Sequence, residues 1–407
     1  MCDRNMCPKL KLSFALSRAT SGFSAPNSIS ELGDKIFVVY DINITKSNNV
    51  EAELFENIDG KLMTIKSLKG DCCFPYVDGG RASKCFSKFS VLDDNGVDTA
   101  RLRIFDCRFN EIGVILLKDY YAPGFSFNGG EFSEDNKFVS VTYVYDPNIG
   151  YNYQKSVLRI FRTNNLEEVG CYKYDGNTGI GTKFFSLYNE NKKKRYLILV
   201  SLGGQYDAEN PFPKPPSLLK ILRFKKNLIN LVSQVELPQS FDYDFTKKKE
   251  NSVIIIIGTN LSNTKCDRVI INNKINQSFL EHDGDEYRIY KFKDNKIKLV
   301  NKKNYNMSLN IKLYPNICTD DKSSDDQFIV MQQFNGLPNS GYFQIIKVDD
   351  KYSPIYCTSG TAHTAPNSYE INFSGNGKWA IVTGSRLDIV TYNQNYLKNV
   401  LLYKIIK

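Results

Sequence analysis

The sequence predicts an all-β protein made of repeated units, each of four antiparallel strands, and three observations lead to this prediction. Aromatic residues are almost all Tyr (25) and Phe (26), which are strand-favouring residues. No window of 11–18 residues has a convincing 3.6-residue hydrophobic period, so almost no helix is expected. A short apolar motif recurs at a nearly constant spacing along all 407 residues, which is typical of a fold built from repeats.

The recurring motif is clearest in Leu102-Arg103-Ile104-Phe105-Asp106. Each copy contains one large apolar residue, here called the anchor. The anchors are Phe55, Phe105, Phe161, Leu222, Tyr290, Ile346 and Tyr403. Their separations of 50, 56, 61, 68, 56 and 57 residues give a period near 58, which divides the chain into seven units. We expect Leu102, Ile104 and Phe105 to pack in the core and Asp106 to serve the turn that follows.

Each unit contains the same succession of elements. A short strand leads through a tight turn into a continuous apolar run, which is typical of a fully buried strand. The anchor strand comes next, and a hairpin joins it to a last strand. The apolar runs are 36–42, 86–92, 138–144, 196–202, 253–257, 328–331 and 379–382.

Seven four-stranded units predict a single-domain, seven-bladed β-propeller over residues 1–407, because stacking the units around an axis covers both faces of every sheet. The last unit ends at Lys407 after its third strand, and an orphan strand at 10–17 precedes the first unit. We therefore expect the N-terminal strand to be the outer strand of the last blade and to close the ring. The expected blades are approximately 27–69, 72–119, 125–175, 182–238, 240–304, 309–358 and 367–407.

Two stretches resemble a known repeat. Phe132-Ser133-Glu134-Asp135-Asn136-Lys137-Phe138 and Phe373-Ser374-Gly375-Asn376-Gly377-Lys378-Trp379 resemble the Phe-Ser-x-Asp-Gly-Lys turn between the inner strands of WD40-like blades. Residues 102–106 resemble the third strand of the same blades. The resemblance extends over the whole chain at the level of blades, and it implies a rigid scaffold for protein contacts without a reaction of its own.

Charge and cysteine content favour some classes of partner over others. The net charge is +9, but the basic runs at 192–195 and 247–249 stand beside Asn, Glu and Asp at expected turns, whereas nucleic-acid binding favours a basic stripe with aromatics. We therefore expect protein partners rather than nucleic acid. No apolar stretch reaches 18 residues, so no membrane association is expected.

The location and the redox state follow from the same composition. Without a recognisable signal peptide, we expect a cytoplasmic protein whose ten Cys are reduced thiols. Of the adjacent Cys72 and Cys73, we expect one to be buried and one exposed. No C-x-x-C pair occurs and there are two His, so neither a zinc site nor a cofactor is expected.

The long connections between the second and third strands of the units are the candidate binding regions, because variable loops on a rigid scaffold often carry function. They are 145–156, 203–217, 259–286, 335–340 and 386–398. Tyrosine is a frequent interface anchor. The candidate partner-binding residues are Tyr145, Asp146, Tyr151, Tyr153, Tyr206, Asp207, Tyr392 and Tyr396.

The alternative function is a lactonase-like propeller hydrolase with a metal ion on the axis. The oxygen ligands that calcium prefers would come from inner-strand residues, and the candidates are Glu131, Glu370, Asn372, Asp242 and Asp244. A structural role for them is the competing interpretation. His363 is a candidate base, but no nucleophile can be paired with it, so an enzyme is the less favoured reading.

Overall fold

The structure is a computed structural model. It describes residues 9–16, 27–40, 50–119, 127–146, 155–175, 177–189, 192–202, 217–248, 251–260, 270–271, 274–275, 285–305, 312–314, 327–333, 342–348, 354–357, 367–385 and 400–406. All regular structure in these residues is β-strand. None of them belongs to a helix able to cross a membrane.

The strands form four-stranded antiparallel sheets, numbered here from the N-terminus. Sheet 1 contains β2 (Asn27–Ile29), β3 (Lys35–Val39), β4 (Val50–Ile58) and β5 (Lys61–Lys69). Sheet 2 contains β6 (Tyr76–Gly79), β7 (Lys88–Asp94), β8 (Ala100–Asp106) and β9 (Glu111–Leu117). Sheet 3 contains β10 (Phe127–Phe132), β11 (Phe138–Asp146), β12 (Lys155–Arg162) and β13 (Glu168–Asp175). Sheet 4 contains β14 (Asn177–Asn189), β15 (Lys192–Leu202), β16 (Ser217–Lys225) and β17 (Leu228–Leu237).

The remaining sheets follow the same order along the chain. Sheet 5 contains β18 (Gln239–Lys248), β19 (Ser252–Asn260), β22 (Asp285–Lys293) and β23 (Lys296–Tyr305), with the small hairpin β20 (Ile270–Ile271) and β21 (Lys274–Ile275) between β19 and β22. Sheet 6 contains β24 (Lys312–Tyr314), β25 (Gln327–Gln333), β26 (Tyr342–Val348) and β27 (Pro354–Cys357). Sheet 7 contains β28 (Asn367–Phe373), β29 (Trp379–Ser385), β30 (Val400–Ile406) and β1 (Lys9–Leu16).

In sheet 7 the N-terminal strand lies outermost. β1 pairs antiparallel with β30 from Lys9 opposite Ile406 to Leu16 opposite Val400. Phe14 and Leu16 pack against the same apolar cluster as Val400 and Leu402. The two ends of the chain thus share one sheet.

Neighbouring sheets are joined by shared apolar clusters. One cluster contains Ile381 of sheet 7, Phe37 of sheet 1 and Phe89 of sheet 2. Further clusters join sheets 2 and 3, sheets 3 and 4, and sheets 4 and 5. Strands of sheets 5 and 6, of sheets 6 and 7, and of sheets 7 and 1 also contact one another. Burial of both faces of the second strand explains its continuous apolar run.

The anchors mark a repeated irregularity. Phe55, Phe105, Phe161, Leu222, Tyr290 and Tyr403 are all buried. In sheets 1 to 5 the pairing of the third and fourth strands shifts by one residue immediately before the anchor. The extra residues of the fourth strands are Ile65, Ile112, Val169, Val232 and Val300. A bulge of this kind increases the local twist of an outer strand.

The turn between the first two strands is built around a serine in four sheets. The Oγ atom of each serine accepts a hydrogen bond of 3.0–3.1 Å from the backbone N–H of the residue five positions later. The serines are Ser30, Ser83, Ser133 and Ser374. The third residue after the serine has positive φ and is Gly33, Phe86, Asn136 or Gly377. The predicted apolar run 86–92 therefore began two residues too early, because Phe86 belongs to the turn and β7 extends from Lys88 to Asp94.

The opening motif behaves as expected. Leu102 and Ile104 are fully buried and Phe105 nearly so. Asp106 Oδ1 accepts the backbone N–H groups of Arg108 and Asn110, both at 2.8 Å.

The expectation for the adjacent thiols was wrong, because Cys72 and Cys73 are both exposed.

A buried ionic cluster lies between sheets 1 and 2. Glu51 on β4 and Asp93 on β7 are both fully buried. Arg101 binds Asp93 through two hydrogen bonds of 2.6 and 2.8 Å. Arg103 reaches Glu51 at 3.2 Å and Glu111 at 2.9 Å. Burial, followed by the Coulomb repulsion of Asp93, raises the pKa of Glu51 from 4.5 to about 8, so Glu51 is protonated at neutral pH.

This pKa shift predicts a loss of stability as the pH rises. Between the ordinary and the raised pKa of Glu51, 4.5 and about 8, the folded state holds a proton that the unfolded state has released, so stability falls across this interval and the loss is complete above about pH 8. Thermal unfolding followed by circular dichroism at about pH 6 and about pH 9 should show a lower midpoint at the higher pH. Glu51→Gln should reduce this difference, whereas Glu56→Gln, an exposed change on the same strand, should leave it intact. Equal pH dependence in both variants would contradict the assignment.

The pairing of β1 with β30 predicts that the N-terminus stabilises the fold. Deleting residues 1–16 removes β1 and exposes β30, so the midpoint of thermal unfolding should fall by at least about 5 °C. Deleting residues 1–8 alone keeps β1 and serves as the control. Equal midpoints for the two truncated proteins would show that the strand contributes no stability.

Candidate functional site: the central cavity

A cavity of about 240 Å³ lies where the first strands of several sheets meet. Its walls come from sheets 1, 2, 3, 4 and 7. The charged lining residues are Arg81, Glu131, Lys183 and Glu370, and the amides are Asn27 and Asn372. We call this space the central cavity.

Irregular pairing in the first strands places the acidic residues. The pairing of β10 with β11 shifts between Gly129 and Glu131, and that of β28 with β29 shifts between Ser368 and Glu370. Glu131 and Glu370 therefore occupy equivalent positions, immediately after a bulge that re-aims the chain. Asp242 follows the same kind of shift on β18.

Close approach of two backbones fixes the neighbourhood of Arg81. The buried Ser90 donates to the Gly130 carbonyl at 2.8 Å, and its Oγ accepts the Arg81 N–H at 3.0 Å. Gly130 has φ +75, and a Cβ there would lie 2.3 Å from Ser90 Oγ. Glycine is required at this position because a side chain would push sheets 2 and 3 apart.

Arg81 is the centre of the polar contacts in the cavity. Its Nε contacts Glu131 Oε1 at 3.2 Å, and its terminal nitrogen contacts Glu370 Oε2 at 2.8 Å. Burial by itself lowers the pKa of the guanidinium, but the two carboxylates outweigh burial and raise it. Arg81 thus stays charged and links sheets 2, 3 and 7.

The two amides complete this network. Asn27 Nδ2 donates to the Glu370 carbonyl at 3.2 Å and to Thr383 Oγ1 at 2.7 Å. Asn372 Nδ2 lies 2.9 Å from the Asn27 carbonyl and 3.1 Å from Glu370 Oε1. These bonds tie β2 of sheet 1 to β28 and β29 of sheet 7, which are close in space although over 340 residues apart in sequence.

Lys183 brings a second positive charge from sheet 4. Its Nζ donates to the Tyr243 carbonyl at 3.0 Å and lies 4.9 Å from the centre of the Tyr243 ring. The charged groups of the described lining are therefore two basic and two acidic side chains, which gives a polar cavity without a strong net charge.

The donor set was compared with the expected calcium ligands. Glu131, Glu370 and Asn372 do converge, as a calcium site requires, but they converge on Arg81 and Asn27. A cation bound by both carboxylates would have to displace the guanidinium. Within the described parts of the chain, no group of three or more His, Cys, Asp or Glu side chains is placed to hold a metal ion. A structural role therefore fits Glu131 and Glu370 better than calcium binding does.

Most of the candidate partner-binding residues lie outside the described residues: Tyr151, Tyr153, Tyr206, Asp207, Tyr392 and Tyr396. His363 lies outside them too. Asp146 is the last residue of β11. Tyr145, next to it, is partly buried and has Lys173 Nζ 4.4 Å from the centre of its ring. Partner binding by this set stays a prediction.

Sequence reasoning missed Arg81. It follows β6 in a stretch of mixed polar residues with no motif. One signal was present, since glutamates at equivalent positions of two units need a basic partner when buried. The sequence does not reveal which of the 53 basic residues supplies it.

The cavity predicts a measurable loss on removing Arg81. Arg81→Met leaves Glu370, which is 8% exposed, without its cation. The free energy of unfolding should fall by about 2 kcal/mol. Breaking a fully buried ion pair costs about 3–5 kcal/mol, and the loss here is smaller because Arg81 is partly solvated. Urea unfolding measures this. Glu370→Gln in the Arg81→Met background should recover part of the loss, and an additive second loss would contradict the ion pair.

Comparison with known proteins gives similarity of fold but not of sequence. No family model matches the chain, and no curated protein matches it. The β-propeller domain of Cps50 (Swd1) from Myceliophteria thermophila superposes with a TM-score of 0.51 at 8% identity, over 98% of this chain and all of that domain.

Two other solved structures are more distant. One is described in a study of two prolyl endopeptidases, and it matches with a TM-score of 0.45 at 11% identity over 97% of this chain and 50% of that one. The other, a functionally unknown protein from Desulfotomaculum acetoxidans, matches with a TM-score of 0.46 at 10% identity over 84% and 86%. Four-stranded antiparallel sheets and the likeness to the Swd1 domain show that this chain has a β-propeller fold.

Proposed function

We propose that the chain is one seven-bladed propeller closed by its N-terminal strand, and that it works as a non-enzymatic scaffold for protein–protein interaction. The binding surface is the face carrying the long connections between second and third strands. The observation that carries this proposal is that the carboxylates of the central cavity are bound by Arg81, which makes the cavity a structural link between blades.

Three features support the ring. The described residues contain seven four-stranded sheets. Each sheet contacts the next along the chain, and sheet 7 contacts sheet 1 through β2, β28 and β29. β1 and β30, from opposite ends of the chain, belong to one sheet. A ring of this kind has only short edges and holds its loops rigidly.

Geometry supports the choice of face. Consecutive strands of each sheet are antiparallel, so all second-to-third connections leave from the same end of the sheets. Tyr145 stands at that end in sheet 3, where Lys173 covers its ring. Aromatic side chains from several blades would lie on one surface, which suits a protein partner.

A hydrolase with an axial metal has weaker support. Glu131 and Glu370 would be its ligands, and both are engaged by Arg81. Elemental analysis of purified protein distinguishes the two functions. Stoichiometric calcium or zinc that is lost in a Glu131→Gln, Glu370→Gln double variant would contradict the scaffold proposal.

The scaffold proposal predicts that tyrosines of the long connections are needed for binding. Partners captured on the wild-type protein and identified by quantitative mass spectrometry should be lost from a Tyr151→Ser, Tyr206→Ser double variant. Tyr188→Ser is the matched control, because Tyr188 is 63% exposed near the β14–β15 hairpin, at the opposite end of sheet 4. A purified partner should bind the control as tightly as wild type. Equal binding by the double variant would contradict the chosen face.

A further inference from the structure

The outer strand of sheet 2 exposes an apolar stripe. Along β9, Ile112, Val114 and Leu116 are 42%, 39% and 51% exposed. Val114 and Leu116 alternate along the strand and therefore lie on one face. Among the strands that the structure describes, β9 is the last of its sheet, so alternate backbone N–H and C=O groups along it have no partner in those strands.

Most of the other described outer strands carry an exposed charge inside the strand, and β9 does not. Natural edge strands usually carry such charges, above all lysine, because a charge at the edge prevents another strand from pairing with it. The exposed charged residues inside these strands are Lys11 in β1, Lys66 in β5, Lys173 in β13, Glu236 next to the end of β17, and Lys298 and Lys302 in β23. The four-residue strand β27 has no charged residue. In β9 the charge nearest the stripe is Glu111 at the first position, which is ion-paired with Arg103.

The opposite face of β9 is firmly held. Ile115 and Leu117 are buried against sheet 3. Gly113 lies under Leu166, whose Cδ1 would be 2.5 Å from a Cβ at position 113. The strand is therefore ordered before any partner arrives, and a partner would not have to supply the free energy of ordering it.

Basic side chains stand around the stripe. Arg108 and Lys118 are exposed just before and just after β9. Lys66 of β5 reaches the neutral amide of Asn110 at 3.3 Å. Of the acidic neighbours, Glu111 pairs with Arg103 and Asp119 with Arg159. Asp106 accepts hydrogen bonds from the Arg108 and Asn110 backbone N–H groups. An approaching strand thus meets an apolar centre and a basic rim.

We propose that β9 is a second interaction surface, separate from the loop face, which adds an extended peptide of a partner protein as a fifth strand. The peptide chemistry follows from the stripe and its rim. Aliphatic side chains at alternate positions would cover Val114 and Leu116, and acidic residues at both ends would face Arg108 and Lys118. Backbone hydrogen bonds to the free edge of β9 would supply sequence-independent affinity, as in other strand-addition complexes.

A second copy of the chain fits this edge less well. In a two-fold antiparallel pair centred on Val114, Lys118 of one copy would lie opposite Asn110 of the other and two residues from its Arg108. The two basic rims would then repel each other. A single added strand is also small beside the about 800 Å² per partner that stable interfaces bury.

The test is direct binding of a defined probe. A fluorescein-labelled peptide of alternating Val and Thr with two Glu at each end is titrated with the full-length protein and followed by fluorescence anisotropy. We expect saturable binding with Kd on the order of 10–100 µM, and weaker binding at about 500 mM salt. A peptide with Lys in place of Glu should bind at least about tenfold more weakly.

Substitutions locate the site. Val114→Lys and Leu116→Lys change exposed side chains, so thermal unfolding should be little altered, and each should weaken peptide binding at least about tenfold. Leu231→Lys makes the same change at a 43% exposed position of β17 and should bind like wild type.

Several results would overturn the proposal. These are no saturable anisotropy change up to about 1 mM protein, wild-type affinity in both folded lysine variants, or equal affinity for the two peptides. Sedimentation that shows a dimer abolished by Val114→Lys would assign the edge to a second copy instead. If one variant does not fold, the other decides the outcome.

Discussion

A four-stranded sheet with apolar residues on both faces is stable only when neighbours cover both faces, and the rest of this structure depends on that constraint. Phe37 of sheet 1 and Phe89 of sheet 2 have ring centres 5.0 Å apart, and each next pair of sheets through sheet 5 shares a similar apolar cluster. Stacking of consecutive sheets covers faces that a single sheet would leave exposed. The same constraint explains why the second strands are apolar on both sides and why the fourth strands, at the rim, are largely exposed.

Some buried polar contacts in this structure join different sheets. Arg103 of sheet 2 contacts Glu51 of sheet 1, and Arg81 joins carboxylates of sheets 3 and 7. Buried ion pairs seldom add much net stability, since desolvation offsets the attraction. We infer that they fix which sheets become neighbours and in what alignment, because apolar faces alone would tolerate other arrangements.

The strands could be predicted from the sequence better than the contacts between residues far apart in the chain. The anchors and apolar runs follow from a local hydrophobic pattern, and burial of Phe55, Phe105 and Tyr403 agrees with it. The bulges before the anchors were not predicted, because an extra Ile or Val looks like any strand residue. Phe86 was assigned to a strand because its side chain is apolar, although its φ of +55 places it in a turn. Arg81 was missed because its partner Glu370 is 289 residues away, beyond any local pattern.

Pairing between the two ends of the chain places the N-terminal strand in sheet 7. Lys11 on β1 lies directly opposite Lys404 on β30, and both side chains are exposed. Cysteines at such positions are within disulfide reach. A Lys11→Cys, Lys404→Cys variant should form that disulfide on mild oxidation, identified as a linked peptide by mass spectrometry, whereas Lys11→Cys with Lys66→Cys should not. Failure of the first pair to cross-link, or equal cross-linking of both pairs, would contradict closure by the N-terminal strand.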